Sequence, residues 1–315
     1  MVKAETCLVT GGAGFIGSYL CDTLLSLGHR VICLDNLITG LDRNLVSAKN
    51  HQLFRFVRRD VSEPILKFER IRYIFHLASP ASVVDYQKYP EETAKTNSIG
   101  TMNMLALAVS HGARFLLAST SEVYGDPKEH PQRETYWGNV NPIGVRACYD
   151  ESKRFAEMIT MVFTRKYKLD VRIIRIFNTY GPRMRRNDGR VVSNFINQAL
   201  EGKDLTVYGD GKQTRSFCYV TDLVDGMVKT MFTDKAAGDV VNLGNPDEYR
   251  VIDLAHTIKS LARSRSRITY TKLPEDDPVV RCPDITKARA LIGWNPSVDL
   301  TTGLSETISY YQSVR

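Results

Sequence analysis

Tyr149 and Lys153 stand four places apart. On a helix, an i,i+4 pair shares one face and lies about one turn apart. A neighbouring ammonium favours a phenolate. A phenol with an ordinary pKa of about 10 can then serve as a base near neutral pH. Thr120 ends the apolar run Arg114-Phe115-Leu116-Leu117-Ala118-Ser119, which reads as a buried parallel strand. Its hydroxyl can hold a substrate oxygen against Tyr149. The chemistry that this set supports is removal of a proton from a substrate hydroxyl. A Tyr-x-x-x-Lys pair is common on helix surfaces, so its weight comes from the elements that position it.

Those elements begin with a glycine-rich turn, Thr10-Gly11-Gly12-Ala13-Gly14-Phe15-Ile16-Gly17, between a predicted strand at residues 6–10 and a helix over about 15–27. Gly11 permits the tight turn, Gly14 lets backbone amides approach a pyrophosphate, and Gly17 lets the helix pack against the sheet. The helix N-terminus then directs partial positive charge at the phosphates. A second predicted strand, residues 30–34, leads into Asp35. A carboxylate at that spacing hydrogen-bonds a ribose 2′-hydroxyl and repels a 2′-phosphate, which favours NAD over NADP.

With both pieces in place, the chain resembles the extended short-chain dehydrogenase/reductase superfamily, nucleotide-sugar branch. The block from Leu117 to Pro127 (LASTSEVYGDP) is more specific. So are Tyr136-Trp137-Gly138-Asn139-Val140-Asn141-Pro142-Ile143-Gly144 and Arg146-Ala147-Cys148-Tyr149-Asp150-Glu151. Together they resemble the UDP-glucuronate decarboxylase (UDP-xylose synthase) family, and the likeness runs nearly from Thr10 to Trp294. Ser152 departs from the pattern, since many members carry glycine there; it sits beside the Tyr149–Lys153 pair without removing it.

The fold expected is α/β, a Rossmann-type doubly wound parallel sheet with a smaller, interleaved C-terminal substrate lobe. Further strands are predicted at 54–58, 72–77, 113–118, 171–177 and 240–243. Helices are predicted over about 91–110, 149–167, 222–231 and 303–311. An NAD-binding domain would span 1–178 and be completed by about 214–245, leaving 179–213 and 246–315 for the UDP-sugar. The resemblance puts NAD against Gly11, Gly14, Phe15, Ile16 and Gly17. It adds Asp35, Asn36, Thr39 and Gly40, with Asp60 and Val61 near the adenine, and Leu77, Ala78, Thr96, Tyr149 and Lys153. The substrate, UDP-glucuronate, would meet Lys95, Asn178, Arg190, Val192, Asn194, Tyr208, Gln213, Arg215 and Arg281. Arginine forks suit phosphate oxygens.

The implied reaction oxidises the sugar at C4, loses CO2 from the 4-keto sugar and restores C4 with the same cofactor. Tyr149 is the expected base, Thr120 and Lys153 its partners. Ser121, Glu122 and Arg281 are expected to direct decarboxylation, with Glu122 ordering the water that protonates C5. A 4,6-dehydratase would need an acid beside Glu122, and serine at 121 is a poor one. A UDP-glucuronate 4-epimerase, and an NAD-responsive regulatory protein without turnover, are the other readings.

Bulk properties narrow the setting. The chain has 315 residues, 43% of them hydrophobic, and no apolar run approaches the roughly 18 residues that span a membrane. The first strand starts almost at once, leaving no room for a signal peptide, so a cytoplasmic protein is expected. Six scattered cysteines show no metal-ligand spacing, and no metal site is expected. The net charge of +7, densest at Arg183-Met184-Arg185-Arg186, suits an anionic small ligand better than nucleic acid, for which there is no motif. The resemblance implies a homodimer formed through the helices at 91–110 and 149–167.

Overall fold

The apolar run ending at Thr120 becomes a strand with a different core on each face. Phe115 and Leu117 join one buried cluster, Leu116 and Ala118 the other, as alternation along a strand requires. The computed structural model of the chain describes residues 4–64, 67–272 and 280–314.

Six strands, β1 (Thr6–Thr10), β2 (Arg30–Asp35), β3 (Phe54–Arg58), β4 (Tyr73–His76), β5 (Arg114–Thr120) and β6 (Val171–Ile176), share a sheet with Val240–Leu243. The order is Val240–Leu243, β6, β5, β4, β1, β2, β3, and every neighbouring pair is parallel. Helices Phe15–Ser26 and Val220–Phe232 pack on one face, and Thr101–His111 with Ala147–Tyr167 on the other. This is the doubly wound arrangement. Its strand order reverses between β1 and β4, which opens a crevice at the carboxyl ends where such sheets take ligands. Thr10, Asp35, His76 and Thr120 end the four strands nearest that crevice.

The chain leaves the sheet after β6. It forms the helix Val191–Glu201 and the strand Leu205–Tyr208, then returns through Val220–Phe232 and Val240–Leu243. It then departs again: Glu248–Arg250 pairs antiparallel with Thr214–Ser216, and Ile268–Thr271 parallel with Leu205–Tyr208. Trp294, fully buried, donates its indole N–H to the Asp222 carbonyl at 2.9 Å and so ties this last stretch to the returning helix.

Two helices differ from expectation. The one over 91–110 is three joined pieces: Pro90–Lys95, a wide π turn Thr96–Gly100, and Thr101–His111. Such turns carry an extra residue and gather at functional sites; here the turn lays Gly100 against Val61, whose Cγ2 would be 2.5 Å from an added Cβ. The helix expected from 303 begins at Leu300, because the Asp299 carboxylate caps it by accepting the Thr302 amide at 3.0 Å. Among the described residues no helix is long and apolar enough to cross a membrane.

Candidate active site

Two cavities meet at the carboxyl edge of the sheet. The first, about 220 Å³, is floored by the glycine-rich turn. Gly11 has φ +70°, and a Cβ there would lie 2.8 Å from the Ala78 amide nitrogen. A Cβ on Gly17 would lie 2.2 Å from the Gly11 carbonyl oxygen, so only glycine lets the helix start this close to the turn. Phe15, Ile16, Asn36, Thr39, Gly40, Val61, Leu77 and Thr96 complete the lining with Gly14, Asp35 and Asp60. This backbone-lined groove at a helix N-terminus fits a dinucleotide pyrophosphate.

Both acids hold loops. Asp35 accepts the amides of Ala13 at 2.9 Å and Leu37 at 2.8 Å; burial nevertheless raises its carboxyl above the usual range. Asp60 accepts from Asn36 Nδ2 at 2.6 Å and from the Ser62 amide and hydroxyl at 2.8 and 2.6 Å. Burial would raise its carboxyl, but those bonds outweigh burial and lower it. Sequence reasoning missed His76. Its Nδ1 pairs with Thr10 Oγ1 at 2.8 Å and its Nε2 with Thr101 Oγ1 at 3.1 Å. Burial, and then the charge of Lys153, push the imidazole down to about 3, so it stays neutral and orders the Thr10–Ala78 corner.

Tyr149 and Lys153 lie on the buried face of the helix Ala147–Tyr167 and open into the first cavity beside Thr120, Ser121 and Glu122. The Thr120 and Tyr149 side chains line this cavity together, and the Thr120 hydroxyl favours the ionised form of the phenol. Tyr86 stacks on the Tyr149 ring at 5.1 Å between centroids. Lys153 Nζ lies 5.9 Å from that centroid and donates to the Ala118 carbonyl at 2.9 Å. The expected phenolate is not the form this surrounding favours. Burial pushes Tyr149 up to about 12, and the Thr120 hydroxyl and the charge of Arg190 offset it only in part. Burial also lowers Lys153 to about 8. Desolvation penalises both charged forms.

Glu122 is gripped from two sides. Arg146 Nη2 donates to its Oε2 at 2.6 Å and Arg281 Nη1 to its Oε1 at 2.8 Å. Arg281 Nη1 also donates to Ser121 Oγ at 2.9 Å, and Nη2 to the Gly125 carbonyl at 3.0 Å. Burial would raise the Glu122 carboxyl, yet the two guanidiniums hold it down at about 2. Glu122 is therefore held as a carboxylate that accepts hydrogen bonds from two guanidiniums. Arg281 is itself buried, and its Nε has no partner among the described residues; an unpaired donor of that kind suits an anionic ligand. Asp150, beside Tyr149 and also buried, is pushed up to about 7 by burial and then by Glu122.

The second cavity, about 600 Å³, shares Glu122, Asn178 and Arg190 with the first. Val192, Asn194, Tyr208, Gln213, Arg215 and Arg281 also line it. Gln213 Nε2 donates to the Tyr208 carbonyl at 2.7 Å, and Arg190 Nη2 to the Ala81 carbonyl at 2.8 Å. Of the expected ligand residues only Lys95 lies apart from both cavities. It projects from the helix surface, 57% exposed, paired with Glu91 at 3.2 Å. Unforeseen residues at the site are Arg146 and Tyr86; Arg185, from the basic cluster expected to meet an anionic ligand, lines the first cavity and is ion-paired with Asp85. Arg146 opens the motif that runs to Glu151, but nothing in the linear sequence aims it at Glu122. Ser152, the departure from the family pattern, donates to the Cys148 and Tyr149 carbonyls at 2.6 and 3.1 Å and accepts from Asn97 at 2.9 Å, linking the two helices.

Comparison with known proteins agrees with this architecture. The sequence model described as GDP-mannose 4,6 dehydratase matches residues 8–307. UDP-glucuronic acid decarboxylase 1 of Danio rerio is 54% identical over 96% of this chain and 72% of its own length. UDP-glucuronic acid decarboxylase 4 of Arabidopsis thaliana is 55% identical over 96% and 67%. Among solved structures, the UDP-glucose 4-epimerase of Thermotoga maritima, with UDP-glucose, superposes with a TM-score of 0.90 at 31% identity, covering 98% of this chain and 99% of that one. The UDP-glucuronic acid 4-epimerase of Bacillus cereus, in complex with UDP-glucuronic acid and NAD, gives 0.89 at 28% identity, covering 98% and 100%. The epimerases share the sheet and the crevice, whereas the nearer sequence relatives carry the decarboxylase name. The chain belongs to the GDP-mannose 4,6 dehydratase family of extended short-chain dehydrogenase/reductases, and within it to the UDP-glucuronic acid decarboxylases.

Proposed function

We propose that this protein converts UDP-glucuronate to UDP-xylose and CO2, with NAD held in the first cavity and the nucleotide sugar in the second. The observation that carries this reading is the meeting of the Thr120–Tyr149 hydroxyl pair with the Arg281–Ser121–Glu122 cluster where the two cavities join. Bound NAD supplies a two-electron acceptor for C4 of the sugar and the means of restoring those electrons after CO2 has left. Gly11, Gly14, Gly17 and Asp35 would hold it, and Lys153 would reach its nicotinamide ribose.

Tyr149 takes the proton of the sugar 4-hydroxyl, which Thr120 steers towards it. Because burial favours the neutral phenol, the base form depends on Lys153, which keeps most of its charge at pH 7 with a pKa of about 8. Once C4 is a ketone, the C5 carboxylate is β to a carbonyl, and the electrons of the breaking C–C bond pass to an enolate. The same hydroxyl pair stabilises that oxygen by hydrogen bonding. Arg281, with a buried N–H unpaired among the described residues, orients the departing carboxylate. Glu122 stays ionised at about 2, so the proton for C5 comes from a water that it orders, not from its own carboxyl. A dehydratase would want an acid at 121, where the Ser121 hydroxyl instead accepts from Arg281.

The second cavity supports a uridine diphosphate, with Arg190 and Arg215 as its phosphate partners. Exposed Ile99, Met102, Met158 and Val162 lie on packed neighbouring helices and support a homodimer through that face. Incubation with UDP-glucuronate and NAD, followed by mass spectrometry of the nucleotide sugar, tests the reaction. Loss of one CO2 supports it, whereas an isobaric product means epimerisation and sinks it.

A further inference from the structure

We propose that His130, Glu248 and Cys282 form a binding site for a divalent cation of the zinc type, which fastens the segment that carries Arg281. One ligand atom from each, an imidazole nitrogen, a carboxylate oxygen and Sγ, lies within 4.8 Å of the other two. Zinc bonds of about 2.0–2.3 Å in a tetrahedron place ligand atoms about 3.3–3.8 Å apart. Drawing these three together therefore takes side-chain movements of about an ångström. His130 Nε2 and Glu248 Oε2 are already 2.8 Å apart, hydrogen-bonded to each other, and would open slightly around an ion.

The three groups come from separate segments that other bonds already register. The Gln132 amide donates to the Cys282 carbonyl at 2.9 Å, and the Cys282 amide to Gln132 Oε1 at 2.9 Å. Glu248 pairs with Ser216 across the short antiparallel ladder, and its second oxygen accepts from Thr214 Oγ1 at 2.7 Å. That bond orients the carboxylate as outer partners of metal ligands do. Cys282 is buried whereas His130 and Glu248 are exposed, so an ion has a path in and a water can fill the fourth position. Thiolate with imidazole selects zinc over magnesium or calcium, which prefer all-oxygen sets. On binding, the Cys282 S–H bond breaks, an S–metal bond forms, and the proton passes to solvent.

Position gives the site its consequence. Cys282 directly follows Arg281, whose guanidinium grips Ser121 and Glu122. Glu248 is joined through its ladder to the strand Thr214–Ser216, which carries Arg215. A cation here would crosslink both substrate-facing arginine segments to the loop of His130 without touching either cavity, since none of its ligands lines one.

The test uses the full chain, freed of metals with a chelator and titrated with Co²⁺ alone, which reports a thiolate ligand by a near-ultraviolet charge-transfer band. One equivalent of Co²⁺ should raise the band, and Zn²⁺ should abolish it by displacement. Cys282→Ser should lose the band. Thr214→Val should weaken binding about 10–100-fold, as loss of an outer partner does, and His130→Ala by at least as much. No band in the wild type, or an undiminished band in Cys282→Ser, overturns the site. His130 is exposed, so His130→Ala keeps the decision open if the cysteine variant fails to fold: wild-type affinity in a variant with native circular dichroism also overturns it.

Discussion

Replacing Lys153 by methionine should inactivate the protein and stabilise its fold. Lys153 is 4% exposed. Burial, only partly opposed by the charge of Glu157, lowers its ammonium from 10.5 to about 8. At ~1.4 kcal/mol per pH unit, the fall from 10.5 to about 8 amounts to roughly 3 kcal/mol of desolvation borne by the charged form at pH 7. Methionine removes that cost but strands the Ala118 carbonyl that Lys153 now satisfies, a loss of about 1–2 kcal/mol. The net expectation is a gain of about 1–2 kcal/mol at pH 7. Its pH dependence has a definite sign. Between about 8 and 10.5 the unfolded wild-type chain still holds a proton that the folded one has released, so wild-type stability rises with pH across that window. The advantage of the variant should therefore shrink and reverse by about pH 10. Tyr149, raised from 10.0 to about 12, lowers stability as pH climbs between those values, in both proteins alike. Urea unfolding at pH 7, 8.5 and 10, followed by the fluorescence of buried Trp294, measures the difference. A variant less stable than wild type at pH 7, or a gap that does not move with pH, refutes the reasoning.

Other expectations concern neighbouring groups. Arg146→Met and Glu122→Gln, measured singly and together, should couple by about 1–2 kcal/mol at pH 7, because Arg146 shares with Arg281 the roughly 3 kcal/mol that takes Glu122 from 4.5 to about 2. That contribution is full above pH 4.5 and fades as pH falls towards 2; a coupling below about 0.5 kcal/mol at pH 7 would contradict the grip. Tyr149→Phe should lower turnover about 10²–10⁴-fold while NAD titration calorimetry stays near wild type; ordinary turnover would remove Tyr149 as the base. Gly17→Ala should destabilise the fold by about 1–3 kcal/mol and abolish NAD binding, since its Cβ would press on the Gly11 carbonyl. An unchanged thermal midpoint would show that the contact yields freely.

What the residues alone made legible was periodic or local. The strand ending at Thr120 announced itself by an unbroken apolar run, and the dinucleotide cradle by glycines whose roles depend on backbone geometry within one turn. Tyr149 and Lys153 share a face because helical spacing puts them there. Helix ends were less legible: Asp299 advances the last helix to Leu300 through one cap bond, and a π turn divides the helix after Pro90.

Long-range charge and proton state belonged to the folded chain alone. Arg146, Glu122 and Arg281 meet only because the sheet edge, the helix start and the returning C-terminal segment converge. Lys95, expected among the substrate contacts, turned to the helix surface and Glu91 instead. A neighbouring ammonium suggested a phenolate at Tyr149, but burial holds the phenol at about 12. The residue types along the chain thus determined which elements form and which chemical groups are available. Tertiary structure decided which groups touch and which keep their protons, because desolvation depends on everything packed around a group and not on its neighbours in sequence.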